Sequence, residues 1–250
     1  MTLVWRPGSG NLLLKNGMVI TGREAGPADP YIGNVSLLLH GDGDNGSTTI
    51  IDSSPSPKTV TAFGDAQIST AQSKFGGSSI AFDGTGDYLE SPQNADFSFG
   101  SGAFTIEFWF FTGQTSSGTF VSHRSGPGAG STNWLVTLGV PTQGKVGLYL
   151  SSGSAYGVPG LSTTSSVTDN QWHHYAATRS GSTIRVFLDG VQESTTIWEG
   201  TVSETPRVLQ VGYDSSASYL DGYIDDLRIT KGVARYTSNF TPPTAPFPDA

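Results

Sequence analysis

The chain has 250 residues, enough for one large domain or a domain with a small appendage. Only 14% of them are charged, against roughly 25% in an average soluble domain, and Gly, Ser and Thr fill the gap. The net charge of −8, with thirteen dispersed Lys and Arg, excludes a nucleic-acid partner, whose phosphates need clustered cations.

Cysteine is absent, which excludes disulfides, zinc–thiolate centres and cysteine nucleophiles. Arg6 and Pro7 stand where a signal peptide would carry its apolar run. No stretch approaches the roughly 18 apolar residues of a membrane helix, and no basic amphipathic stretch addresses a membrane surface. The chain is therefore expected to be soluble, without membrane insertion. Thirty-three glycines and fourteen prolines, scattered between short apolar runs, point to many turns and an all-β class.

Residues 1–33 stand apart. Their apolar patches, Leu12 to Leu14 and Met18 to Ile20, are split by RPGSGN, KNG and TGREAGPADP, too broken for a packed core. The segment reads as an extended N-terminal arm for attachment or oligomerisation. Trp5, Leu12, Leu13, Leu14, Met18 and Ile20 are the side chains it would bury against a partner. A frayed terminus is the competing reading.

From Val35 a strand pattern takes over. VSLLLH (35–40), TVTAF (59–63), SIAFD (79–83) and DYLE (87–90) are short predicted strands. FTIEFWFF (104–111) alternates, with Phe104, Ile106, Phe108 and Phe110 on one side and Thr105, Glu107, Trp109 and Phe111 on the other. Both sides are largely apolar, as in a central strand. GTFVSH, NWLVTLG, KVGLYLSS, QWHHYAATR, TIRVFLDG, VLQVGY and YIDDLRIT follow, parted by turn signals such as SGPGAG, SSGSAYGVPG, RSGST and LDG. With no convincing helix, the pattern predicts a two-sheet antiparallel β-sandwich. Four prolines in TSNFTPPTAPFPDA bar it from a central strand and leave 244–250 as a Pro-rich tail on the surface.

These segments resemble one family. QWHHYAATRSGSTIRVFLDGVQ is similar to the Trp-His-His strand, hairpin and Asp-Gly turn of concanavalin A-like, laminin G-like jelly-roll domains. FTIEFWFF resembles their aromatic central strand, and SIAFDGTGDYLE their Phe, Asp-Gly and Asp-Tyr segment. LQVGY with YLDGYIDDLRITKGVARYTSNFTPP resembles their closing strand. The resemblance runs from about Val35 to Pro243 and assigns 34–243 to the sandwich.

LLLHGDG and ITKGVARYTSNFTPPTAPFP most resemble the laminin G-like domains of tailed-bacteriophage structural proteins. That likeness implies a non-enzymatic structural module on the virion surface, a capsid decoration or tail-fibre protein. It would dock on other virion proteins through its arm, form a homo-oligomer with a trimer favoured, and be suited to gripping a host surface glycan. A free or cell-surface carbohydrate-binding module is the alternative, extracellular in location. A glycoside hydrolase is a remote one, because the fold hosts all three.

Retaining glucanases of this fold carry paired carboxylates about 5 Å apart on one strand. EFWFF offers no second carboxylate beyond Glu107, which is therefore expected to be a partnered strand residue. His173 and His174 point to opposite faces, cannot share a metal, and are expected to pack and bond to backbone. No G-x-S-x-G elbow is present.

HGDGDNGS (40–47) opens like a calcium loop at Asp42 and Asp44, but Ser47 and Ser53 occupy the positions that need Gly and Glu, so it reads as a solvated turn. The family resemblance assigns a structural calcium to Asp52 and Asp225, between an early loop and the closing strand; no cofactor is otherwise required. Asp225 as an acceptor of backbone hydrogen bonds is the alternative.

Carbohydrate binding needs aromatic faces at strand ends and loops. Trp134, Tyr156, Trp198, Tyr213 and Tyr219 are the candidates, with partial burial at the rim as the competing reading. Trp109 and Trp172 match family core positions and are set aside.

Overall fold

The computed structural model describes residues 28–249 and, before them, the backbone of three short strands. These are β1 (Val4–Trp5), β2 (Asn11–Leu13) and β3 (Val19–Thr21), an antiparallel meander. The arm side chains Trp5, Leu12, Leu13, Leu14, Met18 and Ile20 lie outside the described residues.

Two antiparallel sheets follow. The first holds β13 (Tyr156–Ser162), β12 (Val146–Ser151), β11 (Thr132–Leu138), β10 (Gly118–Arg124), β17 (Leu209–Val211), β8 (Tyr88–Ser91) and β5 (Thr61–Phe63), in that spatial order. The second runs β16 (Val191–Ile197), β15 (Thr183–Leu188), β14 (Trp172–Ser180), β9 (Phe104–Phe111), β18 (Asp221–Lys231), β7 (Ser79–Asp83) and β6 (Gln67–Ser69), with β4 (Val35–Leu39) also on β18.

The core lies between them. Phe104, Ile106, Phe108 and Phe110 of β9 are fully buried there, as their alternation predicts. On the facing sheet, register places Leu148, Val136, Val121, Val211, Leu89 and Ala62 in one inward row. Each buried Leu and Val of that row contributes roughly 1.5–3 kcal/mol. The same register sets Tyr149, Leu135, Ser122, Gln210, Glu90 and Thr61 in the adjacent row, on the opposite face of that sheet.

Hairpin chemistry is local. Leu188 pairs with Val191 across Asp189 and Gly190, whose φ values of 49° and 79° suit an Asp-Gly two-residue turn. A Cβ on Gly190 would collide with the Phe240 carbonyl, because Phe240 N–H donates to Gly190 O at 2.9 Å. This contact pins the C-terminal segment to the hairpin.

β13 is an edge strand that begins within SSGSAYGVPG, a stretch whose composition signals a turn. Pro159 and Gly160 break its alternation, and both are tolerated because an edge need not bond on both sides. Within the 1–33 segment, Asp29 pairs with Arg228 and Arg235, and Ile32 packs with Val35, Leu38 and Phe247. Residues from 29 onward thus pack on the sandwich, and Phe247 of the Pro-rich tail is buried with them.

Candidate functional site

Residues from the C-terminal segment overlie the centre of the outer face of the eight-stranded sheet. Tyr236 and Phe240 stack at 3.6 Å over Phe187 and His174, and the Arg228 guanidinium lies 3.6 Å above the Phe247 ring. At the centre is Glu107, fully buried. Its Oε1 accepts from Arg228 Nε at 2.9 Å and Nη2 at 2.8 Å, and its Oε2 accepts from the Tyr236 hydroxyl at 2.7 Å. Arg235 in turn grips Asp29 through two bonds of 2.9 and 2.7 Å.

Burial alone would raise the Glu107 carboxyl, but Arg228, His174 and Arg235 outweigh it and hold it down at about 2. A carboxylate so fixed is a structural anion, inaccessible to a sugar, and the expectation of a partnered Glu107 matches its surroundings.

The outer face of the seven-stranded sheet differs. There a pocket of about 290 Å³ opens among Arg124, Tyr149, Tyr156, Asp214, Ser216 and Ser218, floored by Leu135 and Thr137. Alternation along β12 turns Leu148 inward and Tyr149 outward. The Tyr149 ring lies against Gly160, where a Cβ would meet it and where φ is +81°. Tyr156 sets its edge on Tyr149 at 5.4 Å.

Across the pocket, Arg124 Nη1 donates to Asp214 Oδ2 at 3.0 Å, with both side chains buried. Asp214 Oδ1 also accepts from Ser216 N at 2.7 Å. This pair pins the loop after β17 onto the sheet and so places Tyr213 and Tyr219, which stack at 4.6 Å. The stack continues through Tyr88, 5.0 Å from Tyr213, to Phe63, 4.6 Å from Tyr88 and nearly parallel to it. Four rings therefore run from the pocket rim to the edge strand β5. Burial raises the Tyr149, Tyr213 and Tyr88 hydroxyls, which remain neutral donors near pH 7.

Of the residues singled out on sequence, Tyr156, Tyr213 and Tyr219 meet at this face. Trp134 does not. It is fully buried, stacked on Phe99 at 5.2 Å, with Nε1 donating to Phe97 O at 2.9 Å. Its indole N–H is satisfied by backbone, so it is a core residue. Trp198 packs against the core over Gly157 and Gly200 beside Arg179, away from the pocket. Trp172, set aside as core, is instead half-buried on the other sheet's outer face, in one row with Phe111 and Tyr223. Tyr149, Tyr88, Phe63, Arg124 and Asp214 were not singled out on sequence.

Asp52 and Asp225, the residues that the resemblance offers to a calcium, both accept hydrogen bonds from the protein. Asp52 Oδ1 accepts from the amides of Leu38 and Ser54, and Oδ2 from Ser54 Oγ and Lys58 N, which fills its acceptor positions. Asp225 Oδ2 takes the amides of Lys74 and Phe75. The alternative reading of Asp225, an acceptor for backbone, is the one the geometry realises. A bulge at Asp226, φ +49°, also places Ile224 and Leu227 both inward, so Asp225 and Asp226 do not alternate. Among the described residues, the group with ligand atoms within 4.8 Å is Asp65, Asp83 and Asp87, and Asp87 there accepts from the amides of Asp65 and Asp83.

The histidines also differ from expectation. His173 bonds to carboxylates rather than backbone, Asp189 at 2.7 Å and Asp169 at 3.1 Å, and Asp189 raises its pKa. His174 is buried 3.6 Å from Glu107.

Comparison with known proteins follows the fold. The binding domain of botulinum neurotoxin serotype D/C superposes with a TM-score of 0.59 at 12% identity, over 82% of this chain and 50% of that one. The binding domain of Paraclostridial Mosquitocidal Protein 1 gives 0.60 at 14%, over 82% and 50%. Botulinum neurotoxin type C, which interacts with two ganglioside molecules, gives 0.59 at 14%, over 82% and 49%. The chain spans about half the length of these structures, and at such identity the likeness concerns the fold. A search of curated proteins finds no match. A laminin G-like family model, described as the concanavalin A-like lectin/glucanases superfamily, matches residues 83–235. With the jelly-roll sheets, the aromatic β9 and the closing β18 in place, the chain belongs to the concanavalin A-like lectin/glucanases superfamily.

Proposed function

We propose that this chain is a non-enzymatic glycan-binding module that presents the outer face of its seven-stranded sheet. The asymmetry of the two outer faces carries the reading. The centre of one is overlaid by the chain's own C-terminal segment, which leaves Phe111, Trp172 and Tyr223 half-buried at one end, while the other presents a tyrosine-lined pocket and a run of four neighbouring aromatic rings. Aromatic faces beside a few fixed polar groups are what a sugar requires, since its C–H face is apolar and its rim is hydroxylated. The ganglioside-binding neighbour supports the same class of ligand.

In the tailed-bacteriophage setting that the sequence resembles, the N-terminal segment attaches the module to other virion proteins. The sandwich then decorates a capsid or tail fibre as a homo-oligomer, a trimer favoured. Binding of the full-length protein to a glycan array, repeated with Tyr149→Ala and Tyr213→Ala, tests the site. Each substitution is expected to weaken a positive signal roughly tenfold. Binding unchanged in both variants would move the site elsewhere, and a blank array would leave the module purely structural.

A further inference from the structure

The outer face of the eight-stranded sheet has an aromatic end beyond the C-terminal segment. We propose that residues 1–27 of this chain fold back over that end, so that the N-terminal segment covers its own sandwich. The glycan reading concerns the other sheet and does not bear on this one.

Register carries one outward row across five strands. It runs from Trp172 on β14 through Phe111 on β9, Tyr223 on β18 and Ala81 on β7 to Gln67 on β6. All five are half-buried. Four strand intervals of about 4.8 Å make the row roughly 19 Å long. The Phe111 ring lies 5.8 Å from Trp172 and 5.9 Å from Tyr223, and among the described residues none of the three meets a ring of the C-terminal segment. An apolar strip of this kind, with polar neighbours at its rim, marks a surface that takes a cover.

The point of entry favours the chain's own segment as that cover. Asp29 is held by Arg228, whose strand β18 also carries Tyr223 five positions away, roughly 17 Å along the strand. Twenty-seven residues extend to about 90 Å, so the segment reaches the row with length to spare.

Charge agrees. Arg6, Lys15 and Arg23 against Glu24 give residues 1–27 a net charge of +2, so the remaining 223 residues carry −10 of the chain's total of −8. Asp221 and Asp83, both exposed, pair in register and stand two positions from Tyr223 and Ala81, on the same outward side. A basic segment laid on the aromatic row thus meets acids at its border.

The segment also has two apolar rows to place. Register sets Trp5, Leu12 and Ile20 in one row of the meander and Val4, Leu13 and Val19 in the next, and adjacent rows take opposite faces. Strands of two and three residues are too short to be stable without packing on something larger. One face covers the sandwich, and the other remains for an attachment.

Hydroxyl-radical footprinting of the full-length protein, read residue by residue by mass spectrometry, tests the cover. Trp172 and Tyr223 are expected to label several-fold more slowly in the parent than in Leu12→Asp or in the double variant Arg6→Glu, Arg23→Glu. Tyr149, on the other sheet, should label equally in all three. Equal labelling of Trp172 and Tyr223 throughout would overturn the proposal. The chain has no cysteine, so a Leu14→Cys, Gln67→Cys pair treated with a short bismaleimide shows where the cover comes from. A bridge within one chain is expected, running as a monomer on a denaturing gel. A bridge between two chains would hand the row to a second copy and overturn the proposal, as would no bridge at all.

Discussion

Replacing Glu107 by glutamine removes the anion at the centre of the network beneath the C-terminal segment. The amide keeps one acceptor, but its NH2 must face either the Arg228 guanidinium, which cannot accept, or the Tyr236 hydroxyl, which would have to reverse and give up the bond it donates. Arg228 would then share Asp29 with Arg235, leaving two buried guanidinium groups to one carboxylate. Breaking a buried pair by removing one partner costs about 3–5 kcal/mol.

Proton linkage gives a consistent figure. The carboxyl sits at about 2 in the folded chain against an ordinary 4.5, which corresponds to about 3 kcal/mol at neutral pH. That contribution is fully present above pH 4.5 and is lost as pH falls toward 2. Glu107→Gln is therefore expected to lower the unfolding free energy by about 3–5 kcal/mol in urea titrations at pH 7, a large part of a typical 5–15 kcal/mol. It should leave glycan binding on the opposite sheet unchanged in protein still folded. A loss below about 1 kcal/mol would refute the ionic account of this face. Loss of binding or of a hydrolytic activity at unaltered stability would return Glu107 to a functional role.

The other predictions follow from the same geometry. Trp134→Ala should cost about 3–5 kcal/mol of stability, because it empties a fully buried site and strands the Phe97 carbonyl; a folded variant of unchanged stability that has lost glycan binding would restore Trp134 to the ligand site. His123 is buried beside Trp134, and burial pushes its pKa from 6.5 to about 4. The unfolded chain takes up a proton first, so stability should be full above pH 6.5 and fall by about 3 kcal/mol toward pH 4, a slope that His123→Gln removes in urea titrations across that range. Deletion of residues 1–33 removes Asp29 and Ile32 and should destabilise the sandwich, as thermal melts beside the full chain would show.

Strand periodicity carried most of the fold. The inward row of β9 follows from the alternation that is visible in FTIEFWFF. What escaped was set by distant partners. β13 was hidden by Pro159 and Gly160, which an edge tolerates and an interior strand does not. Trp134 looked like a rim residue near the start of NWLVTLG. Only the fold brings the Phe97 carbonyl to its indole N–H across 37 residues of sequence. Asp225 and Asp226 obey no alternation because a bulge intervenes. Tyr149 was in principle legible, since Val146, Leu148 and Leu150 fix the inward side of β12 and leave Tyr149 outward. Arg124 and Asp214 lie 90 positions apart, and nothing local announces their pairing.

The described residues near the two chain ends lie together on one face of the sandwich. Ala28 and Asp29 line one cleft with Pro246, Phe247 and Pro248, so the described residues at both termini meet on the covered sheet, beside Arg228 and Arg235. The tyrosine pocket lies on the other sheet, with the full thickness of the core between. An attachment made through the N-terminal segment would therefore pull on the face that is sealed by buried ion pairs, and would leave the aromatic face directed away from the anchor. If the proposed site holds, stability and recognition are open to separate mutation, Glu107 and Asp29 for the first and Tyr149 and Tyr213 for the second, and no described hydrogen bond links the two sets.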